Sequence, residues 1–234
     1  MKISDVLDVL YPRRCPVCQE IIEENRLCEK CRRKVSYIRQ PRCLKCGKQI
    51  ETMEEELCSD CRKKTHFFDR GIGLFAYDEN VKNSLYRFKY SNKREYAAVY
   101  AKELFVQYGE ILKRWDVQAV VPVPMYRDKM RQRGFNQAEC IAVELSKLLG
   151  VGVEKNLIER VRNTKPMKEL DDKERMKNLE RAFNISEDSV KYKRILLVDD
   201  IYTTGATVDS CALLLKEKGV SKVYFAAVCI GNGF

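Results

Sequence analysis

Residues 194–207, Arg194-Ile-Leu-Leu-Val-Asp-Asp-Ile-Tyr-Thr-Thr-Gly-Ala-Thr207, decide how the rest of the chain is read. An apolar run stops at two adjacent carboxylates, Asp199 and Asp200. A short loop of Thr203, Thr204, Gly205, Ala206 and Thr207 follows, and then a helical pattern begins. A strand–acid–loop–helix unit of this kind can hold a sugar phosphate at both ends. Loop amides and the helix N-terminus attract phosphate. The carboxylates accept hydrogen bonds from ribose hydroxyls.

Working outward, the pattern from residue 66 onward alternates strands with helices. Strands are expected at 71–77, 117–121, 195–198 and 223–228. Helices are expected at 80–90, 94–113, after the Gly134 break up to Gly150, and over 207–218 before Gly219. This predicts an α/β domain, a parallel sheet with helices on both faces. Ligands of such sheets bind beyond the strand C-termini, where Asp199 and Asp200 fall. The polar stretch 162–180, with Pro166 inside, reads as a mobile segment followed by a helix.

Rival motifs fail on particulars. A receiver domain opens similarly but needs later strands, and only 34 residues follow Asp200. A Walker A loop needs Gly-Lys-Ser/Thr, and a dinucleotide site needs G-x-G-x-x-G. An ordinary helix N-cap accounts for one Asp or Thr. It does not account for two acids, three threonines and a glycine together.

The run 198–207 resembles the PRPP-binding signature of type I phosphoribosyltransferases, where PRPP is 5-phosphoribosyl 1-pyrophosphate. That resemblance places the ribose hydroxyls on Asp199 and Asp200 and the 5′-phosphate on Thr203, Thr204, Gly205, Ala206 and Thr207. Tyr202 is bulkier than the aliphatic residue usual there. Val121-Pro-Val-Pro124 resembles the pyrophosphate loop of the same fold. It continues as Met125-Tyr126-Arg127-Asp-Lys-Met-Arg131-Gln-Arg133-Gly-Phe-Asn-Gln137, far more cationic than that loop usually is. Residues 82–133 carry twelve basic and five acidic side chains, about +7. Such a patch fits a pyrophosphate. It also fits a nucleic-acid backbone. Pyrophosphate is expected on Met125, Tyr126, Arg127, Arg131 and Arg133, with Lys89 approaching from the first helix.

Eight of the eleven cysteines form four C-x-x-C pairs: Cys15/Cys18, Cys28/Cys31, Cys43/Cys46 and Cys58/Cys61. Two such pairs complete a tetrahedral zinc site, so two structural Zn²⁺ are expected. Cys15-Pro-Val-Cys18-Gln-Glu-Ile-Ile parallels Cys43-Leu-Lys-Cys46-Gly-Lys-Gln-Ile. Leu27-Cys28-Glu-Lys-Cys31 parallels Leu57-Cys58-Ser-Asp-Cys61. The repeat favours tandem ribbons with one zinc each, with an interleaved cross-brace as the other pairing. Closed thiolate sites leave no position for substrate, so this region is structural or a docking surface. His66 is read as a linker residue rather than a fifth ligand. Cys140, Cys211 and Cys229 read as inert core thiols.

The formal net charge is +10. Residues 1–64 hold fifteen Lys/Arg and eleven Asp/Glu, a formal +4. Two four-thiolate zinc sites at −2 each cancel this, leaving the basic excess on the second domain. The expected boundaries are 1–65 for the double zinc ribbon and 66–234 for the phosphoribosyltransferase-like domain. Ile3, Val6, Leu7 and Leu10 fit one face of a short helix ended by Pro12. No apolar stretch approaches the roughly 18 residues of a membrane span, so a cytoplasmic protein is expected.

Taken in order, the double zinc ribbon, Phe88-Lys-Tyr90, Val121-Pro-Val-Pro124, Arg133-Gly-Phe-Asn-Gln137, Asn178-Leu-Glu-Arg-Ala-Phe183 and the PRPP motif are similar to the ComF family of competence proteins. That resemblance implies uptake of transforming DNA at the cytoplasmic side of the membrane. It also implies a ComF-type helicase and other DNA-uptake proteins as partners. Three functional readings stay open: a PRPP-binding protein with Mg²⁺ in DNA uptake, a non-catalytic adaptor for PRPP or single-stranded DNA, and an active purine-salvage-like phosphoribosyltransferase. Trp115, Tyr86, Phe88 and Tyr90 could stack bases, but are read as core.

Overall fold

The computed structural model describes residues 12–162, 182–185 and 191–231. The helix expected near residues 3–10, nearly all of segment 162–180 and the start of the 178–183 motif lie outside the described residues. Short helices α1 (Glu29–Arg32) and α2 (Ser59–Lys63) belong to the cysteine-rich region. Then come β1 (Arg70–Ala76), α3 (Glu79–Tyr90), α4 (Tyr96–Arg114), β2 (Ala119–Pro122) and α5 (Arg127–Arg133). After them run α6 (Gln137–Leu149), β3 (Gly152–Val153), β4 (Ile158–Arg160), β5 (Phe183–Ile185), β6 (Arg194–Tyr202), α7 (Ala206–Glu217) and β7 (Lys222–Ile230).

Five strands form one sheet in the order β1-β7-β6-β2-β3, every pair parallel. The central strands are apolar on both faces, as a doubly covered sheet requires. Along β6, Leu196 and Val198 point into a core shared with α3, α4 and α6, while Ile195 and Leu197 join a second core with α7. β7 divides the same way, with Ala226 and Val228 on one side and Phe225 and Ala227 on the other. The expected α/β architecture is therefore the observed one.

Two expectations change. β6 does not stop at Val198: Asp199, Ile201 and Tyr202 stay in register with Ala227, Cys229 and Ile230 of β7. The acids thus stand inside the last turn of ladder rather than in a loop. The cationic stretch after Pro124 is likewise not a loop but the helix α5, ended by Gly134 at φ +76°. Its local sequence, free of Gly and Pro from Arg127 to Arg133, permits this.

The cysteine-rich region leans on the β1 edge of the sheet. Tyr37 bridges Phe75, Ile38 N–H donates to Leu74 O at 3.0 Å, and Ala76 N–H to Ser36 O at 2.8 Å. An otherwise open edge is thereby covered. Glu103 of α4, 2% exposed, fastens the first ribbon: it accepts from Arg26 Nε at 3.1 Å, Leu27 N–H at 3.1 Å and Tyr37 Oη at 2.9 Å.

Candidate functional site

Asp200 N–H donates to Asp199 Oδ1 at 2.8 Å, so the two carboxylates share the strand end closely. Lys89, carried by α3, places Nζ 2.6 Å from Asp200 Oδ2. Burial and the neighbouring Asp200 charge hold Asp199 well above the usual carboxylate range. Burial pushes Asp200 the same way, but the charge and hydrogen bond of Lys89 outweigh it and leave Asp200 below that range. The pair is polarised: one acid favours its proton and the other its charge.

Beyond the acids the chain turns through Thr203 and Thr204, both exposed, to Gly205 at φ +78°. A side chain at 205 would be strained in this backbone and would meet Tyr202 Oη at 2.5 Å. The bulky Tyr202 is thus accommodated underneath the loop, stacked on Phe225 with centroids 4.6 Å apart. Gly205 is the N-cap of α7 and supplies no side-chain cap, which leaves the first-turn amides facing outward. A cavity of about 270 Å³ lies against them, lined by Asp199, Thr203, Thr204, Gly205, Ala206 and Thr207 among others.

The cationic wall comes from α5 and β4. Residues four apart share a helix face, so Lys129 and Arg133 lie together and Arg127 and Arg131 lie on another face. Arg133 reaches inward: its guanidinium sits 5.0 Å from the Tyr90 ring centroid, donates to Tyr90 Oη at 3.1 Å, and its charge lowers Asp200. Burial lowers Lys129, with the charges of Arg160 and Arg133 adding to the effect. Arg127 and Arg131 are exposed, and among the described residues no contact joins them, Met125 or Tyr126 to either acid. Arg160 of β4 was not singled out by sequence. Burial lowers it, while Cys211 and the Asp199 charge oppose that. No spacing signal marks an arginine at the end of a three-residue strand.

The motif after Arg133 is largely architectural. Gly134 ends α5, and Phe135 is buried against Phe88. Asn136 caps α6 by accepting Ala138 N–H at 3.0 Å and donates to Val123 O at 3.0 Å, tying the helix to the proline-rich strand end. Gln137 Oε1 accepts from Arg133 at 3.1 Å. Of the aromatics read as core, Phe88 and Trp115 are buried, Trp115 stacked on Tyr224. Tyr86 and Tyr90 are 62% and 47% exposed, which corrects that reading. Cys211 and Cys229 are fully buried, and Cys140 is half-buried.

The eight knuckle cysteines form two groups, Cys15/Cys18/Cys28/Cys31 and Cys43/Cys46/Cys58/Cys61. Within each, one sulfur per residue lies within 4.8 Å of the others. A tetrahedral Zn–S₄ site needs sulfurs roughly 3.8 Å apart, and four thiols with no disulfide are the matching donor set. The grouping is tandem, as the repeat implied. The repeat also holds at the backbone: Gln19 and Gly47, each four residues past a first cysteine, both have positive φ. His66 belongs to neither cysteine group, but it is more than a linker. It is buried, with Nδ1 2.6 Å from Asp209 Oδ2.

Together these features define a double zinc ribbon joined to an α/β domain of phosphoribosyltransferase type. The double zinc ribbon domain family matches residues 6–68, and the phosphoribosyl transferase domain family matches residues 137–233. Competence protein F of Haemophilus influenzae is 29% identical over 207 residues, 86% of this chain and 89% of that protein. DNA utilization protein YhgH of Salmonella typhimurium is 28% identical over 219 residues, 92% of this chain and 89% of its own length. Competence protein ComFC of Bacillus subtilis is 27% identical over 203 residues, 84% and 80% respectively. The two domain families in this order, with these relatives, support the ComF family for this chain. No helix among the described residues is long and apolar enough to cross a membrane.

Proposed function

We propose that this protein binds PRPP with Mg²⁺ at the end of β6 and serves the handling of incoming DNA, as the names of its relatives suggest. One observation carries the ligand reading. A helix N-terminus without a side-chain cap, a loop glycine held at positive φ and Asp199 converge on one cavity, with Asp200 next to Asp199 on the strand and turned to Lys89. Loop amides at 205–207 take the 5′-phosphate. Asp199 and Asp200 accept from the ribose hydroxyls, and as hard oxygen donors they suit Mg²⁺. The metal, when bound, supplies positive charge to the pyrophosphate oxygens. Lys89 gives up Asp200 to the ribose and turns its ammonium to the pyrophosphate. Arg133, Lys129 and Arg160 supply further cationic charge there. Arg127 and Arg131 belong to the outer face of this wall.

Calorimetry with Mg²⁺-PRPP tests the assignment. Wild type binds, and Asp200→Ala loses most of that affinity; equal binding by the two proteins rejects the site. Pyrophosphate release with a panel of bases and ammonia then separates transferase from adaptor.

A second reading has its own support. Arg127 and Arg131 are exposed on α5, and Tyr86 and Tyr90, 4.9 Å apart by ring centroid, are exposed on α3. Basic and aromatic side chains together suit single-stranded DNA. In that role the protein passes a strand between partners such as a ComF-type helicase, at the cytoplasmic face of the membrane. We also take residues 1–65 and 66–234 as its two units.

A further inference from the structure

Asp209 lies in the first turn of α7, just past the loop assigned to the phosphate, and is 5% exposed. Its own N–H closes that turn on Gly205 O at 2.7 Å. A carboxylate so close to a bound phosphate would repel it. Three donors engage this one instead, all from the stretch leaving the second zinc ribbon. Phe67 N–H donates to Oδ1 at 3.0 Å, His66 Nδ1 lies 2.6 Å from Oδ2, and Lys64 Nζ lies 3.2 Å from Oδ2.

The His66 side chain is 2% exposed and stacked on Phe68 at 4.8 Å, and its Nε2 has no hydrogen-bond partner among the described residues. An apolar ring would fill this space without leaving a nitrogen unsatisfied. What the imidazole adds is the Nδ1–H bond to Asp209. A second tie runs parallel to it. Phe68 meets Tyr202 edge-on at 6.1 Å, and Tyr202 is the ring beneath Gly205. The second zinc cysteines, Phe68, Tyr202, Ala206 and Val208 share one apolar core.

We infer that His66 is a positioning residue that fixes Asp209, and through it the N-terminal turn of α7, to the second zinc ribbon, so that the ribbon holds the phosphate loop in its binding shape. This rests on the PRPP reading of that loop. Its consequence is selective: the 5′-phosphate end depends on His66, whereas the pyrophosphate end, built on α3 and α5, does not.

The test titrates wild type, His66→Phe and His66→Asn with ribose 5-phosphate, Mg²⁺-pyrophosphate and Mg²⁺-PRPP, with zinc content measured for each. Phenylalanine keeps the ring stack and removes the donor; asparagine restores an N–H near the Nδ1 position. His66→Phe should weaken ribose 5-phosphate and PRPP roughly five- to tenfold, leave pyrophosphate unchanged and keep its zinc. His66→Asn should recover most of the loss. Unchanged ribose 5-phosphate affinity, equal loss for ribose 5-phosphate and pyrophosphate, loss of zinc or absence of rescue each overturns the inference. If wild type binds ribose 5-phosphate but not PRPP, the PRPP reading fails, while a selective His66→Phe effect still upholds the tie. If it binds neither, both fail.

Discussion

At the residue scale, the acid pair is a device with opposite halves. Asp199 holds its proton in the fold at pH values where an unfolded aspartate, titrating near about 3.9, has lost it. The folded state then binds more protons than the unfolded state, so this group lowers stability as pH rises from that value through its raised one. Asp200 works the other way: its contribution is present above about 3.9 and is lost as pH falls towards its depressed value. We therefore expect Asp199→Asn to melt higher than wild type, with a gap that widens as pH rises through the Asp199 transition and then levels off. Thermal melts across pH 4 to 8 check the sign; a gap that narrows with pH refutes it. Lys89→Met removes the charge that keeps Asp200 ionised. At neutral pH it should cost about 2 kcal/mol, less than a fully buried pair because both side chains retain some solvent contact.

At the element scale, the joint between ribbon and sheet turns on Glu103. Its carboxylate is 2% exposed and satisfies Arg26, Leu27 N–H and Tyr37 together. Burial and this carboxylate push the Tyr37 hydroxyl well above its ordinary value, so it stays a donor. Glu103→Ala leaves those groups without an acceptor and should cost about 3 kcal/mol. Glu103→Gln retains an acceptor and should cost about 1 kcal/mol. Denaturation of the zinc-loaded proteins measures both, and equal losses would mean that the carboxylate charge rather than its acceptors holds the joint. Nothing local in the sequence marks Glu103, because its partners lie 66 to 77 residues away. What was legible was periodic or local: the apolar runs of β6 and β7, the glycines ending α5 and α6, the four knuckles and the acid–threonine loop. Element ends were less so. β6 continues through Tyr202 because β7 is there to pair with it, and the run Arg127–Arg133 folds as helix although the resemblance to a pyrophosphate loop implied a loop.

At the scale of the whole molecule, the two zinc sites pack against different parts of the proposed ligand site. In the first knuckle the carbonyls of Pro16 and Val17 accept from Arg87 at 2.9 and 2.8 Å, and Arg87 is two residues from Lys89 on α3. Cys15 and Cys31 share a core with Phe88, Tyr96 and Tyr100, the residues that seat that helix. The second site shares its core with Tyr202, Ala206 and Val208 beneath the proposed phosphate loop. Few apolar side chains inside either ribbon could replace the metal, so loss of zinc should unfold the ribbon concerned. The two losses should then differ in what they do to binding. Cys15→Ser, by loosening α3, should weaken Mg²⁺-pyrophosphate more than ribose 5-phosphate. Cys43→Ser should do the reverse. Elemental analysis should find two zinc ions per wild-type chain and one in each variant, and chelation of both should abolish PRPP binding. A wild-type count of one zinc, or the same ligand profile for both variants, would show instead that the ribbons act as a single unit.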